Sequence, residues 1–304
     1  RWMTVTEAFA FIRTQYGEEN ELYYLYVLDR YGKLHGVVNL RTLILSQPQL
    51  MVDEIMDREV ISTNVTTDQE EVAQLLARYD LLALPVLNDE GRLVGIITVD
   101  DVVDVLEEEA TEDIYRLAQV SEKAEIFSPI PRALRNRLPW LYVNMFTALI
   151  SASVITMFEG TIALIPLLAA FMPVVAAQGG NTGNQTMTIV VRSLALGEMS
   201  LSDAWSALRH EALIGIIVGL LLGISLGGIS YFWHQDPWMS LIISVAMIVT
   251  LFVATVGGVL VPTTLKRTGV DPALGSSMFV TAITDITGFA VFLGLATYLL
   301  YLLI

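Results

Sequence analysis

Five apolar segments, each long enough to cross a lipid bilayer, occupy most of the chain after residue 138 and restrict how it can fold. A helix of about 20 residues crosses a hydrocarbon core about 30 Å thick. Because lipid offers the backbone no hydrogen-bond partners, these segments are predicted to be helices. Residues 132–304 are therefore predicted to form an all-α domain with five transmembrane helices. The predicted spans are residues 138–158, 161–178, 211–233, 238–263 and 273–303.

Charged residues are concentrated ahead of these segments. Residues 1–139 contain 13 Lys and Arg against 25 Asp and Glu, whereas residues 140–304 contain 4 and 7. This contrast predicts a soluble N-terminal part that precedes the membrane domain. The net charge of −15 disfavours nucleic acid as a partner and favours cations. The absence of cysteine excludes disulfides and thiolate metal sites.

The basic residues near the apolar segments all fall on one side of the predicted membrane. Because Lys and Arg favour the cytoplasmic side, we expect the N-terminal part in the cytoplasm and Ile304 outside a multi-pass inner (plasma) membrane protein. The chain begins at Arg1 without an apolar leader, so we expect no signal peptide and a longer parent protein. These basic residues are Arg132, Arg135, Arg137, Arg192, Arg209, Lys266 and Arg267.

The fifth predicted span contains a single charged residue, Asp285, thirteen residues after Pro272. At about 1.5 Å per residue, its carboxylate lies roughly 20 Å along the helix and inside the hydrocarbon core. A charge there costs at least about 2.5–3.5 kcal/mol, and such residues normally face a cavity, a partner or an ion path. Asp285 is therefore predicted to be a functional residue.

The soluble part contains an internal repeat, because residues 26–43 align without gaps on residues 85–102. Each copy predicts a strand, a tight turn containing Gly32 or Gly91, a second strand and a helix. The repeat resembles a tandem pair of CBS domains, a Bateman module of the α/β class. The first, N-terminally incomplete domain would cover residues 1–50 and the second residues 51–109.

The CBS resemblance implies that the soluble part senses a ligand, while a packed dimerisation domain is the alternative. In CBS domains, a Thr at the position of Thr98 holds a ribose. The resemblance also implies contacts between ATP and the residues Tyr24 and Arg41. Thr42 stands where the first repeat would carry its ribose-binding Asp, and this departure weakens the expectation of ATP.

An acidic stretch follows the repeat. On a helix, Asp101, Asp104 and Glu108 would share one face, and no Lys or Arg lies between Arg92 and Arg116. The stretch is either a solvated acidic face or a site for Mg²⁺ or Ca²⁺, which prefer oxygen ligands. Residues 110–131 are predicted to form an acidic connecting, or plug, helix and a linker.

A polar run, Gln178–Gln185, ends the second predicted span. Its three glycines and two asparagines are expected to break or bend the helix and expose backbone carbonyls. At membrane depth, non-helical backbone is tolerated where it lines a water-filled path. An ordinary polar loop at the membrane surface is the alternative, and the local sequence leaves both open.

Three motifs behind the CBS pair, Gln178–Gln185, Val270–Leu274 and Thr284–Gly288, closely resemble the MgtE family of Mg²⁺ channels. The resemblance implies a homodimer whose five-helix halves form one pore, and a helical domain ahead of the CBS pair. It matches Asp285 to the family's pore aspartate and places Asn181 and Asn184 in the pore motif. The cytoplasmic Mg²⁺-sensing residues that it implies are Glu70, Asp80, Asp101, Asp104, Glu109, Glu112 and Asp113.

These features lead to a hypothesis about transport. Mg²⁺ gives up water reluctantly, so a pore is expected to hold the hydrated ion between carboxylates and carbonyls. We expect Asp285 and the backbone oxygens of Ala282 and Pro173 to form that site, with Mn²⁺, Co²⁺ or Ni²⁺ as substitute ions. Cytoplasmic Mg²⁺ bound to the acidic residues is expected to close the pore.

Other functions fit less well. An intramembrane aspartyl protease would need a second carboxylate facing Asp285, and Asp271 lies at a helix end, so no enzymatic activity is expected. A chloride channel would place helix N-termini rather than a carboxylate at the ion. A proton-coupled divalent metal transporter that uses Asp285 as a proton or ion site remains the main alternative.

Overall fold

The computed structural model of the protein describes residues 2–15, 22–121 and 124–303. Two compact units make up the chain, Arg1–Ala110 and Thr111–Ile304. The first is of the α/β class and the second is helical. The predicted domain boundaries differ slightly from these units and stay predictions.

The first unit contains two short sheets and the helices packed on them. An antiparallel pair, β1–β2, forms one sheet, and β3–β4–β5 forms the other, with β3 parallel to β4. Each sheet has its own apolar core, centred on Leu43 in one case and Leu84 in the other. The elements are α1 (Val5–Gln15), β1 (Tyr24–Leu28), β2 (Leu34–Asn39), α2 (Leu40–Leu45), α3 (Val52–Ile55), β3 (Thr63–Asn64), α4 (Gln69–Arg78), β4 (Ala83–Leu87) and β5 (Leu93–Thr98).

The internal repeat is present in the strand register. Tyr24 pairs with Asn39 and Ala83 with Thr98, which are equivalent positions of the two copies, and each hairpin has a register shift at its equivalent strand end. The two turns also pair with each other, since Leu34 N donates to the Gly91 carbonyl over 3.3 Å. The prediction of two α/β repeats is confirmed.

The predicted separate connecting helix is wrong in its boundaries. Helix α5 (Val99–Leu117) starts directly after β5, continues through the acidic stretch without a break and ends at Leu117. Asp101 Oδ2 accepts hydrogen bonds from the backbone N and the Oγ1 of Thr98, at 3.0 and 2.8 Å, so the start of the helix is capped. The acidic run is therefore the middle of one longer helix.

The second unit is helical. Among the described residues, four helical segments are long and apolar enough to span a membrane: Ile130–Thr156, Leu201–His234, Pro237–Arg267 and Ser276–Leu302. The five-span topology and its orientation remain predictions. The helices are α6 (Ile130–Thr156), α7 (Glu159–Leu164), α8 (Leu167–Ala195), α9 (Ala204–His234), α10 (Pro237–Arg267) and α11 (Ser276–Leu303).

The expected break at Gln178–Gln185 is wrong, because α8 is a continuous helix of 29 residues that includes this run. Gly179 and Gly183 lie where α8 packs against its neighbours. A Cβ atom on Gly179 would lie 2.8 Å from Thr250 Cγ2 of α10. The glycines thus allow close packing between helices, which offsets their low helix propensity.

A row of glycines brings α9 against α10. Every fourth residue from Gly215 to Gly227 is a buried glycine. A Cβ on Gly219 would lie 2.9 Å from Ile248 Cα, and a Cβ on Gly223 would lie 2.7 Å from the Ser244 carbonyl oxygen. Ser244 Oγ donates to the Gly223 carbonyl over 2.9 Å. Small residues at this spacing let helix backbones approach closely in a membrane.

Candidate functional site

Helices α8 and α11 are antiparallel neighbours, and three contacts give their relative register. A Cβ on Gly179 would lie 3.3 Å from Thr284 Cβ, and the Cβ of a residue at Gly183 would meet Val280. Closer to the start of α11, Ser277 Oγ donates to Asn184 Oδ1 over 3.0 Å. The polar run of α8 therefore lies alongside residues 277–284 of α11.

Asp285 follows directly after Thr284 and is partly buried. The antiparallel register places Gln178 of α8 at the same level as Asp285. Among the described residues, the Asp285 carboxylate forms no hydrogen bond or ion pair. A carboxylate in this position is available to an ion, to water or to a second protein chain.

The polar side chains of α11 form a stripe that the sequence analysis missed. Ser277, Thr281 and Asp285 are spaced four residues apart and so share one face of the helix over about 12 Å. Thr281 lies next to Gly180, with its Cγ2 4.0 Å from where a Cβ on that glycine would be. The four-residue spacing was visible in the sequence and predicts this stripe.

The other predicted pore residues occupy different surroundings. Ala282 is partly buried, one turn before Asp285, and Asn181 is exposed on α8. Asn184 is partly buried, and its side-chain oxygen accepts the hydrogen bond from Ser277 Oγ. Pro173 is exposed inside α8, more than one turn before Gln178.

The backbone oxygens of Pro173 and Ala282, predicted as ion ligands, belong to α8 and α11. Both residues lie within continuous helices, where a carbonyl accepts from the N–H four residues later. A proline lacks an N–H, so Pro173 removes the partner of the Ala169 carbonyl rather than of its own. A carbonyl that accepts one helical hydrogen bond keeps a second lone pair, so both oxygens stay predicted ion contacts.

In the part of the chain that the structure describes, the predicted sensing residues are not gathered into one cluster of metal ligands. Among the residues that the structure describes, no group of three or more His, Cys, Asp or Glu side chains is arranged to hold a metal. Gln69 Nε2 donates to Glu109 over 2.8 Å, and Gln74 Nε2 donates to Glu70 over 3.3 Å. Glu112 pairs with Arg116.

The remaining predicted sensing residues are spread along α4 and α5. Asp80 follows α4 with a positive φ of 50°, Asp104 is exposed on α5 and Asp113 is partly buried there. Asp101 accepts a hydrogen bond from Thr98 Oγ1 at the start of α5. Mg²⁺ sensing by these carboxylates stays a prediction from the resemblance.

A cleft of about 450 Å³ opens between the two repeats. Tyr24 and Tyr26 of the first repeat line it, and Tyr26 Oη donates to the Ala83 carbonyl over 3.3 Å. Burial raises the pKa of the Tyr26 phenol to about 12, so that this hydroxyl stays a donor at neutral pH. A ligand of the CBS pair is predicted to bind in this cleft.

The predicted ATP residues lie only partly in this cleft. Tyr24 lines it, whereas Arg41 and Thr98 do not, and Thr98 Oγ1 is bonded to Asp101. Among the described residues, the lining contains the carboxylates of Asp57, Glu59 and Asp80 and no Lys or Arg. These negative charges oppose a bare triphosphate, so ATP stays a prediction from the resemblance.

The soluble and helical parts together define a class of protein. It is a membrane protein in which a CBS pair precedes membrane-length helices that contain an isolated carboxylate. Comparison with known proteins identifies the family. The sequence profile for MgtE, described as a divalent cation transporter, matches residues 172–295, and the CBS domain profile matches residues 52–108.

The chain is 41% identical to the magnesium transporter MgtE of Thermus thermophilus over 98% of this chain and 66% of that protein. It is 36% identical to the magnesium transporter MgtE of Bacillus subtilis over 90% of this chain and 61% of that protein. A crystal structure of the cytosolic domain of the Mg²⁺ channel MgtE in complex with ATP matches with 51% identity and a TM-score of 0.33, over 34% of this chain and 42% of that one.

The chain belongs to the MgtE family of divalent cation transporters. It spans about two thirds or less of the length of the two relatives. The family resemblance predicted from the sequence is confirmed. The expectation that the chain is not an enzyme agrees with the relatives' names, which are those of transporters.

Proposed function

We propose that the protein is a Mg²⁺ channel of the cytoplasmic membrane, in which two copies of the chain form one pore at Asp285. The observation that supports this most strongly is the position of Asp285. It is the one charged residue of α11, it ends a polar stripe, and it lies beside the polar run of α8. Lipid, a second copy and divalent cations are the partners of the proposed assembly.

The proposed site binds Mg²⁺ together with its water. Mg²⁺ demands octahedral geometry with ligands at about 2.0–2.1 Å and loses water reluctantly. A site that held the bare ion tightly would slow its passage. The water molecules of the hydrated ion can instead donate hydrogen bonds to carboxylate, hydroxyl and amide oxygens along α8 and α11.

A second copy of the chain, related by a two-fold axis, would supply the second negative charge that neutralises the ion. One Asp285 carboxylate from each copy gives two negative charges, which neutralise one dication. This arrangement also explains why the carboxylate has no partner among the described residues of a single chain. The proposed counter-ion of Asp285 is the transported ion.

The acidic residues of the CBS pair and α5 are proposed to close the pore when cytoplasmic Mg²⁺ is high. Two carboxylates 4 Å apart repel each other by about 1 kcal/mol in water and by about 4 kcal/mol at an effective dielectric constant of 20. Mg²⁺ would relieve this repulsion. A change from mostly open to mostly closed requires about 5.5 kcal/mol of differential binding, which several such sites can supply.

Removal of two of these charges tests the sensing proposal. We expect Asp101→Asn combined with Asp104→Asn to raise the Mg²⁺ concentration that closes the channel by about tenfold, because two of the carboxylates proposed to bind Mg²⁺ in the closed state are lost. Asparagine keeps an oxygen that can accept from Thr98, so the start of α5 stays capped. Patch recording at stepped internal Mg²⁺ gives the measurement, with Glu90→Gln at the hairpin turn as control. Unchanged inhibition in the double variant would refute sensing by these residues.

Ion flux into vesicles separates the proposed channel from the proton-coupled alternative. Purified protein is reconstituted, and Mg²⁺ entry is followed under a membrane potential with equal pH on both sides, and then under a pH gradient without a potential. A channel responds to the potential alone. Uptake that requires the pH gradient would favour a secondary transporter that uses Asp285 as its proton site.

A further inference from the structure

The last turn of α5 belongs to the second unit and contacts the rest of that unit through one arginine. Arg116 forms ion pairs with Glu112, one turn earlier on α5, and with Asp271, in the connection between α10 and α11. All three side chains are partly buried, with exposed fractions of 34%, 23% and 30%. Asp271 is itself held in place, since its Oδ1 accepts from the Ala273 N–H over 2.8 Å.

An apolar contact lies next to these ion pairs. Leu117 packs against a buried cluster formed by Met187 and Val191 of α8 and by Ala273 and Val280 near the start of α11. Val280 is the residue that lies opposite Gly183. The end of α5 therefore docks on the same ends of α8 and α11 that carry the Asn184–Ser277 hydrogen bond.

Two carboxylates on different elements share one guanidinium, so the positive charge of Arg116 lies between Glu112 and Asp271. Without Arg116, Glu112 and Asp271 would face each other as like charges, and a divalent ion could bridge them. Arginine supplies the positive charge permanently, because its side chain does not lose its proton in proteins. An isolated surface ion pair contributes little, but here two carboxylates and an adjacent apolar contact act together.

We propose that Arg116 is a built-in cation that keeps the end of α5 docked on α8 and α11 without Mg²⁺. The link between docking and closure rests on the proposed function. In this view Arg116 lowers the Mg²⁺ concentration at which the pore closes, because part of the closing interaction is present without Mg²⁺. Replacement of Arg116 by a neutral residue makes docking depend on a divalent ion.

The absence of cysteine allows a direct measurement of docking. In the full chain, Leu117→Cys introduces a single thiol whose alkylation by a maleimide is slow when α5 is docked. Ile114→Cys is the matched control, because Ile114 is on the same helix and 68% exposed. The alkylation rate of each cysteine variant is measured with and without Arg116→Gln, in EDTA and in millimolar Mg²⁺.

We expect Arg116→Gln to speed alkylation of Leu117→Cys by about three- to tenfold in EDTA, and Mg²⁺ to reverse most of the increase. The Ile114→Cys rate should stay the same in both backgrounds. Exchange of the charges, Arg116→Asp with Asp271→Arg, should restore slow alkylation. Equal Leu117→Cys rates with and without Arg116 in EDTA would overturn the proposal.

The thiol measurement is independent of transport. If it shows the expected change while Mg²⁺ inhibition of uptake is unaltered by Arg116→Gln, the link between docking and the gate is overturned. A protein that transports no Mg²⁺ at all would contradict the proposed function but would leave the docking result unchanged.

Discussion

Asp285→Asn is expected to abolish Mg²⁺ uptake in reconstituted vesicles. Asparagine has nearly the same size and keeps polar atoms, so packing along α11 should change little. The substitution removes both negative charges from a two-fold site, and a dication in a low-dielectric pore then lacks its compensating charge. We expect at least about a hundredfold loss of flux, which corresponds to about 2.7 kcal/mol.

Two controls separate loss of charge from loss of structure. Asp285→Glu keeps the carboxylate and should retain measurable uptake, although one more methylene group moves the charge. Glu159→Gln removes a charge from an exposed position at the start of α7 and should leave uptake unchanged. Size-exclusion chromatography should give the same profile for all three variants. Wild-type flux in Asp285→Asn would rule out the assigned pore residue.

Gly223→Val is expected to disrupt the packing of α9 on α10. The new Cβ would lie 2.7 Å from the Ser244 carbonyl oxygen, a backbone atom that cannot move without shifting α10. Overpacking of this kind costs about 1–3 kcal/mol. It also separates Ser244 Oγ from the Gly223 carbonyl that it bonds.

Gly228→Val is the matched control for this change. Gly228 is on the same helix, and a Cβ there meets nothing within 4 Å. The cost of a β-branched residue in a helix is the same at both positions, so the difference reports the helix contact alone. Thermal unfolding in detergent should show a lower midpoint for Gly223→Val only. Equal midpoints would show that the close contact contributes little.

The repeat could be predicted from the sequence because its signals are local. Alternating apolar residues around Gly32 and Gly91 predict two hairpins, and both glycines have a positive φ, 79° and 75°. The break in α8 was predicted wrongly for a different reason. By intrinsic propensity, Gly179 and Gly183 disfavour a helix. In the structure both are helical, because the absence of a side chain lets α8 pack closely against Thr250 and Val280.

The site could be predicted only in part. Asp285 is evident as a lone charge in an apolar helix. Which residues of α8 lie beside it depends on the register between α8 and α11. That register cannot be predicted from the amino-acid composition of the two helices. Dimerisation, membrane orientation and the sensing sites remain predictions, because they depend on a second copy, on lipid and on bound ions rather than on contacts within one chain.

Helix α5 has a mechanical consequence. It begins at the last strand of the second repeat and ends at Leu117, with no proline or glycine over its 19 residues. It is therefore a stiff rod about 28 Å long, and bending is expected at its two ends rather than along it. A tilt of roughly 10° at one end moves the other by roughly 5 Å, which is close to one helical turn. A small rotation of this helix at Val99 would therefore appear at Leu117 as a displacement of several ångströms.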